Sequence, residues 1–517
     1  MDFSKKDIHT SVLKATRNSQ LTIDDDFNIP DSKKDVEKII AQNGNVTVEE
    51  ITAEEGKVKV AGTVYFQVLY QTSDETGMDM EVYENEIPFE DVVNIDEVNR
   101  ASQIEVRCLL EDLSAGIINS RKLEVRGLIE NQISVYENSY VNCATDLENG
   151  NGIECQHTDI NLSEITIQKR DVFKIREEIE IAQNKPNIKD IIWSKIALRN
   201  VETRAMEDKL AVRGEIEIFV IYKGDEERTP AQYIFSVRTL EEEIDCSGSS
   251  EDMIACVELT LGKGDISVKQ DADGESRIIA VDYNVDMNIK MYEDTEVGIL
   301  SDMYSPQVEI EPETEHFVYE NLVMKNTALL KVTDRYKVDG EDEKILQICH
   351  IYGDVYVDDV RENETSVNVL GTIKAYMLYI PSSDNPMECM EMDIPFEHSI
   401  DTVKLSENHS VKVVPRLTQL GATMLNSQEV EVKAEVGLDI MIFETREMDV
   451  ITDMTISPID YERKAAMPGI AGYVVKKGDT IWSIARKYYA TTESIKNINE
   501  LEGDEIREGD RLIIVKG

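Results

Sequence analysis

Apolar and polar residues alternate along most of this chain. In residues 212–222 (VRGEIEIFVIY), the apolar side chains at 212, 216, 218, 220 and 222 share one parity, and the charged ones at 213, 215 and 217 share the other. Because successive side chains on a β-strand point to opposite faces, this period of two predicts strands with one buried and one solvated face. β-branched and aromatic residues are frequent in the same runs. The pattern predicts a mainly β protein with little helix.

This segment is one of three related copies. VAGTVYFQVLY (60–70), VRGEIEIFVIY (212–222) and VLGTIKAYMLY (369–379) keep Val, Gly and Tyr in register, at spacings of 152 and 157 residues. Solenoid repeats have much shorter periods, of roughly 20–50 residues. Each copy is therefore predicted to be a domain.

Further landmarks extend the repeat downstream. IPFE at 87–90 and NS at 119–120 recur at 394–397 and 426–427, each 307 residues later, whereas the middle copy lacks IPFE and has LEEE at 240–243. The NS pair lies between two predicted strands and indicates a turn. We therefore predict three tandem antiparallel β domains of sandwich or barrel type.

The stretches between the copies are polar, acidic or rich in Gly, which predicts linkers. The predicted organisation is repeat 1 with an N-terminal segment at 1–145, a linker at 146–171, repeat 2 at 172–306, a linker at 307–324, repeat 3 at 325–458, a linker at 459–470, and a C-terminal domain at 471–517.

From residue 470 onward the pattern changes. An extended run at 473–475 precedes Gly478-Asp479-Thr480, a turn whose Asp and Thr can cap a following helix. Apolar residues then recur at helical spacing up to Tyr488, a second short helix begins at Thr492, and 511–515 is predicted to be the closing strand. This order predicts a small βααβ domain.

The motifs of this segment resemble a LysM domain. They are YVVKKGDTIWSIA at 473–485, Asn499-x-Leu501, and Ile506-x-x-Gly509-x-x-Leu512-x-Ile514. The resemblance implies a domain that usually binds N-acetylglucosamine-containing glycans such as peptidoglycan or chitin, in a groove between the loop after the first strand and the loop after the second helix. Carried over by motif, the candidate binding residues are Gly478, Asp479, Thr480, Ile481, Asn499, Leu501, Glu505 and Ile506. A structural interpretation stays open, because Asp479 and Thr480 can serve as helix caps and Ile481 and Leu501 as core.

Three acidic β repeats followed by one LysM domain resemble the spore-coat morphogenetic proteins of the SipL and SpoVID type. The resemblance implies a protein of the mother-cell cytoplasm that lies at the forespore surface and binds the coat basement-layer ATPase SpoIVA through its LysM domain. It implies a non-enzymatic scaffold of spore-coat assembly, with that ATPase or other coat proteins as partners. The alternative is a cell-wall protein that binds peptidoglycan or another N-acetylglucosamine glycan.

The charge of the chain narrows its possible partners. Its 517 residues include 54 Lys and Arg against 103 Asp and Glu, a formal net charge of −49. A general nucleic-acid binder is excluded, because neutralising phosphates requires clustered cations, and attachment to membranes through a basic patch is disfavoured. From residue 470 onward eight cations balance eight anions, so the excess acid belongs to the repeats. No apolar run has the length of a transmembrane helix or a signal peptide, which predicts a cytosolic protein without a transmembrane segment.

The sequence offers no recognisable catalytic or metal-binding constellation. The six His show neither HxH nor HxxxH spacing, and the seven scattered Cys never form CxxC, so free thiols are expected. The adjacent pair Cys349-His350 is interpreted as a packing feature. DADGE at 271–275 resembles the start of a calcium loop, but it aligns with the NS turns and has Asp282 where such a loop requires Glu. We predict no enzyme activity, no cofactor and no metal, with an unrecognised acidic active site as the remaining alternative.

Overall fold

The three repeats share one topology of six strands. The computed structural model describes residues 2–74, 77–148, 150, 152–225, 231–338 and 343–517. The first repeat consists of β1 (Asp2–Asn28), β2 (Lys38–Glu54), β3 (Lys57–Asp74), β4 (Gly77–Asn94), β5 (Gln103–Asn119) and β6 (Lys122–Glu148). The second consists of β7 (Glu154–Glu180), β8 (Ile188–Met206), β9 (Lys209–Gly224), β10 (Gln232–Asp245), β11 (Ile254–Gln270) and β12 (Ser276–Tyr304). The third consists of β13 (Val308–Lys337), β14 (Ile345–Asn363), β15 (Ser366–Pro381), β16 (Glu388–Asp401), β17 (His409–Met424) and β18 (Glu429–Pro458).

Each repeat is a sandwich of two three-stranded antiparallel sheets. In the first repeat the strand orders are β2-β3-β4 and β1-β6-β5, and the other two repeats follow the same scheme. Alternate side chains of both sheets, such as Val64 of β3 and Ile129 of β6, are fully buried and form one core between the sheets. The predicted mainly β fold with antiparallel repeats is confirmed, and the repeats are sandwiches.

The Gly shared by the three copies lies under a side chain of the neighbouring strand. Gly62 is opposite Phe89, and Gly371 is opposite Phe396 in the third repeat. A Cβ at Gly62 would lie 2.1 Å from the carbonyl oxygen of Thr47 and 2.8 Å from the Phe89 ring, so the position requires glycine. The IPFE motif therefore supplies the ring that covers a backbone position without a side chain.

The middle repeat covers its glycine from the other neighbouring strand, because a Cβ at Gly214 would lie 3.1 Å from the Val201 side chain of β8. In the strand pairing Gly214 is opposite Leu240, the first residue of LEEE, so Leu occupies the motif position of Phe without covering the glycine. Two residues earlier, Arg238 occupies the position of the Ile in IPFE and lies 3.6 Å from the carboxylate of Glu177. The backbone pairing is therefore the same in all three repeats, whereas the side chains of the motif differ.

The three repeats pack around a common axis. We call the outer halves of the six long strands the stem, which consists of residues 2–12, 139–148, 154–163, 294–304, 308–319 and 446–458. The first strands β1, β7 and β13 contact one another there. Equivalent residues of all three repeats form the stem core, among them Ile8, Ile160 and Phe317, each fully buried or nearly so. The repeats are therefore one closed body and not a string of separate domains.

A second shared cluster, the crown, joins the other sheets of the repeats. It contains the equivalent residues Leu69, Ile221 and Leu378, which are fully buried, together with Trp193 and Tyr352. The crown is almost entirely apolar, so it stabilises the closed arrangement through burial.

A charged layer also links all three repeats. It consists of Glu105 of repeat 1, Glu258 and Lys290 of repeat 2, and Lys412 of repeat 3. Lys290 lies 2.6 Å from Glu105, and Lys412 lies 2.7 Å from Glu258 and 3.9 Å from Glu105. The ammonium of Lys290 also lies 3.6 Å from the centre of the Tyr136 ring, a cation–π contact.

Two stretches predicted to be linkers are largely strands. Residues 146–171 run from the end of β6 into β7, and 308–324 of the second predicted linker belong to β13. Residues 149 and 151 lie outside the described residues. The linker prediction was wrong here because the outer faces of the stem strands are solvated, and their acidic and polar composition resembles that of a connecting segment. The predicted residue boundaries between independently folding domains stay a prediction.

The C-terminal domain has the predicted βααβ order. Its elements are β19 (Ile470–Val474), α2 (Ile481–Lys487), α3 (Thr492–Ile498) and β20 (Arg511–Val515), with β19 and β20 paired antiparallel. The predicted linker 459–470 is not irregular throughout, because it contains the short helix α1 (Tyr461–Ala466) and the first residue of β19.

Candidate functional site

The loop after β19 is held by Asp479. Its Oδ2 accepts hydrogen bonds from the Tyr473 hydroxyl at 2.7 Å and from the Lys476 backbone N–H at 2.8 Å. These bonds, with that from Tyr473 the larger effect, lower the pKa of Asp479, so the side chain is a carboxylate at neutral pH. The carboxylate therefore stabilises the turn through hydrogen bonds to two residues that precede it. Gly478, with a φ of +90°, supplies the left-handed backbone conformation that the turn needs.

Thr480 caps helix α2. Its hydroxyl accepts a hydrogen bond from the Ser483 N–H at 3.0 Å, and the Thr480 N–H donates to the Ser483 hydroxyl at 3.0 Å. This reciprocal pair satisfies two backbone donors at the helix start. The capping role considered from the sequence is present, and the spacing Thr-x-x-Ser is the signal that identifies its partner.

Three of the candidate residues belong to the core of the domain. Ile481 is 1% exposed, and Leu501 and Ile506 are partly buried against the same cluster. This cluster brings the two predicted loops together at one end of the domain. The Ile481 side chain itself does not reach the surface, which agrees with its structural interpretation.

Asn499 braces helix α3 against strand β20. Its amide nitrogen donates to the carbonyl oxygens of Ile495 and Ile513, both at 2.8 Å, and its oxygen accepts the Ile513 N–H at 2.7 Å. Both amide hydrogens are therefore used inside the domain. Sequence reasoning missed this role, because the partner Ile513 is a backbone group that carries no side-chain signal.

Few of the candidate binding residues have polar side-chain groups that are free to bind a ligand. Gly478, Thr480 and Glu505 are exposed, and Glu505 makes no hydrogen bond or ion pair among the residues that the structure describes. Within the domain, Asp479 accepts hydrogen bonds through Oδ2, Thr480 accepts one through its hydroxyl oxygen, and Asn499 uses both of its amide atoms. A ligand at this surface would meet backbone groups, the exposed side chains of Glu500, Glu502 and Glu505, and the edges of apolar residues.

The other candidate chemistries of the sequence have structural explanations. The Asp271 carboxylate accepts the N–H groups of Asp273 and Glu275, both at 3.0 Å, which makes DADGE a hairpin turn. Within the described ranges, no group of three His, Cys, Asp or Glu could hold a metal ion. Burial, with a smaller contribution from nearby cations, lowers the pKa of His350 to about 3, and the neutral ring stacks on Phe219 at 4.2 Å. Burial raises the pKa of Cys349 to about 11, so it is a packed thiol.

Family comparisons account for both parts of the chain. The SipL family, described as the SPOCS domain, matches residues 35–118, 187–269 and 344–425, and the LysM domain family matches residues 473–515. The chain is a LysM protein of the SipL type. Each SPOCS match begins just before the second strand of a repeat and ends at or near the close of the fifth strand. The long first and sixth strands, which form the stem, therefore lie outside the matched residues.

SPOCS and LysM domains are binding domains and not known enzymes. No curated protein and no solved structure matches the chain. In the part of the chain that the structure describes, none of the helices has the length and apolar character needed to cross a membrane.

Proposed function

We propose that this chain is a non-enzymatic scaffold of spore-coat assembly that docks through its LysM domain on a coat basement-layer ATPase of the SpoIVA type. It acts in the mother-cell cytoplasm at the forespore surface. Three SPOCS domains and one LysM domain in a single chain fit a coat-associated or cell-wall-binding protein. The choice between a protein and a glycan partner rests on the polar groups of the LysM loops.

The observation that favours a protein partner is the internal use of those polar groups. Small ligands such as sugars are oriented by a few precisely placed hydrogen-bonding groups. Here Oδ2 of Asp479, the hydroxyl oxygen of Thr480 and both side-chain amide atoms of Asn499 are hydrogen-bonded within the domain. A protein partner can instead bind through shape, backbone groups and charge, which this loop surface retains.

The closed packing of the repeats supports a scaffold role. The stem, the crown and the charged layer hold the three SPOCS domains in fixed relative positions. Separate domains on flexible linkers would gain avidity at an entropic cost that depends on linker length. A rigid body presents all of its acidic surfaces at once without that cost, which suits the ordering of several coat proteins.

The first prediction concerns Glu505. The change Glu505→Lys reverses an exposed charge that has no partner in the described structure, so it leaves the fold intact. We expect the affinity of the full chain for the purified ATPase to fall by roughly tenfold. In the proposed complex a cation of the partner pairs with the Glu505 carboxylate, and a lysine at this position would repel it. Biolayer interferometry at two salt concentrations measures the effect.

The matched control is Glu493→Lys, which makes the same charge change on helix α3, away from the loops. It should bind as the unmodified chain does, with a slightly lower melting temperature because a cation in the first turn of α3 is unfavourable, whereas Glu505→Lys should keep the melting temperature of the unmodified chain. Equal affinities for the Glu505 variant, the control and the unmodified chain would exclude the loop surface as the ATPase site.

The LysM family match also supports a second candidate function, the binding of a cell-wall glycan. The same purified chain is incubated with peptidoglycan and with chitin fragments, and sedimentation measures retention. Retention that Glu505→Lys abolishes, together with no binding to the ATPase, would replace the scaffold proposal by a cell-wall function.

A further inference from the structure

The LysM domain is attached to the stem by more than its linker. Helix α2 and the residues after it contact the end of the second repeat, where β7 begins and β12 ends. We call the stem side of this contact the dock, formed by Glu154, Asp302 and Tyr304 of repeat 2 and by Glu309 at the start of β13 in repeat 3. The contact combines charge-assisted hydrogen bonds, an aromatic pair and a shared apolar core.

Asp302 provides the main polar contact of the dock. Its Oδ2 accepts the indole N–H of Trp482 at 2.7 Å, and Nη1 of Arg486 lies 3.0 Å from each of its carboxylate oxygens. Hydrogen bonds to a charged acceptor are stronger than neutral ones. Two further bonds flank it, from the Tyr489 hydroxyl to Glu309 at 2.7 Å and from the Thr492 hydroxyl to Glu154 at 2.9 Å.

Tyr304 is the apolar centre of the dock. It is 4% exposed and belongs to the same core cluster as the LysM residues Ile481 and Ile484. Its ring meets the Trp482 ring edge-on at 4.8 Å, and its hydroxyl donates to the carbonyl oxygen of Ala490 at 3.0 Å. A stem residue thus completes the core of the LysM domain.

The threefold arrangement shows that this site is specific to repeat 2. The β-bulges of the three stem ribbons align Asp302 with Asp146 and Asp453, and each of these Asp side chains accepts the N–H of its following residue at 2.8 or 2.9 Å. Two residues later the repeats differ, with Glu148 in repeat 1, Tyr304 in repeat 2 and Thr455 in repeat 3. The Asp therefore has a common local role, and the aromatic residue distinguishes one stem end from the other two.

The connection to the LysM domain favours this same stem end. Strand β18 ends at Pro458, which is paired with Val308, close to the dock in the chain. In the connecting segment, the Lys464 ammonium donates to the carbonyl oxygen of Pro306 at 2.7 Å. The segment therefore runs along the junction between repeats 2 and 3 and delivers the LysM domain to the dock of its own chain.

We infer that the end of the second repeat's stem is a binding site for the chain's own LysM domain, which holds that domain in a fixed orientation. Gly478, Thr480 and Glu505 of the loops are exposed with the LysM domain docked, so docking leaves the loop surface open. The Trp482 and Arg486 face is occupied, whichever partner the loops bind. The dock thus sets the direction in which the loops face a partner.

The test compares Asp302→Ala with Asp453→Ala in the full chain. Both changes remove the local bond to the following N–H, but only the first removes the partner of Trp482 and Arg486. For Asp302→Ala we expect amide hydrogen exchange in residues 459–487 to become about tenfold faster or more, and small-angle X-ray scattering to show a larger radius of gyration. Asp453→Ala should leave both measurements unchanged.

A second variant, Arg486→Ala, approaches the dock from the LysM side and leaves the repeats untouched. It should increase exchange in the same segment, so misfolding of the stem cannot explain the result. Exchange and scattering like those of the unmodified chain in both Asp302→Ala and Arg486→Ala would overturn the inference. A stable dimer of the unmodified chain that dissociates in Asp302→Ala would also overturn it, because the dock would then hold the LysM domain of a second copy.

Discussion

The crown and the charged layer join the same three repeats by different means. In the crown, the equivalent positions Leu69, Ile221 and Leu378 are all aliphatic and fully buried. Two members of the charged layer, Glu105 and Lys412, occupy equivalent positions on the fifth strands of their repeats. The register places Cys256 at this position in repeat 2, so the three repeats carry three different side chains there. One interface keeps the symmetry of the repeats, and the other breaks it.

This difference separates stability from specificity. Apolar burial is non-directional, so three similar aliphatic faces would pack in either circular order of the repeats. Charges discriminate between neighbours, because Glu105 is attracted to Lys290 of one repeat and Lys412 of another but would be repelled by a second carboxylate. A buried ion pair adds little net stability over an apolar pair, whereas a mismatched one is costly.

The largest expected effect comes from the crown. Trp193 is 1% exposed and packs beside Tyr352, with 6.3 Å between ring centres. Trp193→Ala leaves a large cavity and should lower the free energy of unfolding by about 3–5 kcal/mol, measured by guanidinium denaturation of the full chain. Trp193→Phe fills part of the space and should lose less. A loss no greater than that of the exposed control Val92→Ala would show that the crown does not stabilise the closed body.

The charged layer should respond in a different way to single and double changes. Lys290 is almost fully buried, and Lys290→Met leaves Glu105 without its nearest cation, which should cost about 3 kcal/mol. The double variant Lys290→Met with Glu105→Leu removes the unpaired charge and should return to within about 1 kcal/mol of the unmodified chain. The same denaturation experiment measures both. A double variant as unstable as the single one would mean that the pair stabilises the fold by itself.

The sequence predicted what depends on local pattern. Period-two alternation in residues 212–222 predicted the strands, and the repeated Val-Gly-Tyr segments predicted the three repeats. Both signals depend only on residues that are close together in the sequence. The motif around Thr480 likewise predicted the cap of α2. These features require no knowledge of the distant parts of the chain.

The closed packing was not predictable in this way. Glu105 and Lys290 meet although they are far apart in the sequence, and neither belongs to a motif. Acidic stem strands resembled linkers because a solvated ribbon and a linker have similar composition. At the candidate site, the motif predicts ligand binding by Asn499, and the fold adds a role that the motif does not record, because the Asn499 amide braces α3 against the backbone of Ile513. Sequence patterns do not record backbone partners, so such roles appear only in the fold.

The smallest expected effect is a pH dependence of the charged layer. Burial alone would raise the pKa of Glu258, but the charge and hydrogen bond of Lys412 outweigh it and lower the pKa. A carboxylate whose pKa is lower in the folded state stabilises the protein above its unfolded value of about 4.3, and this stabilisation is lost as the pH falls through the folded value. We expect a contribution on the order of 1 kcal/mol at pH 7.

The many other carboxylates also titrate in this range, so the measurement is the difference in urea midpoint between the unmodified chain and Glu258→Gln. That difference should be constant between pH 7 and about 5 and should shrink below the unfolded pKa of about 4.3. In a Lys412→Met background Glu258 loses its nearest cation and keeps its burial, which favours the protonated form, together with the weaker influence of Arg107 and Lys290. The same comparison should therefore lose most of its acid dependence or reverse it. A difference that persists unchanged down to pH 3 would show that Lys412 does not hold Glu258 as a carboxylate, and that the layer distinguishes the repeats by shape and not by charge.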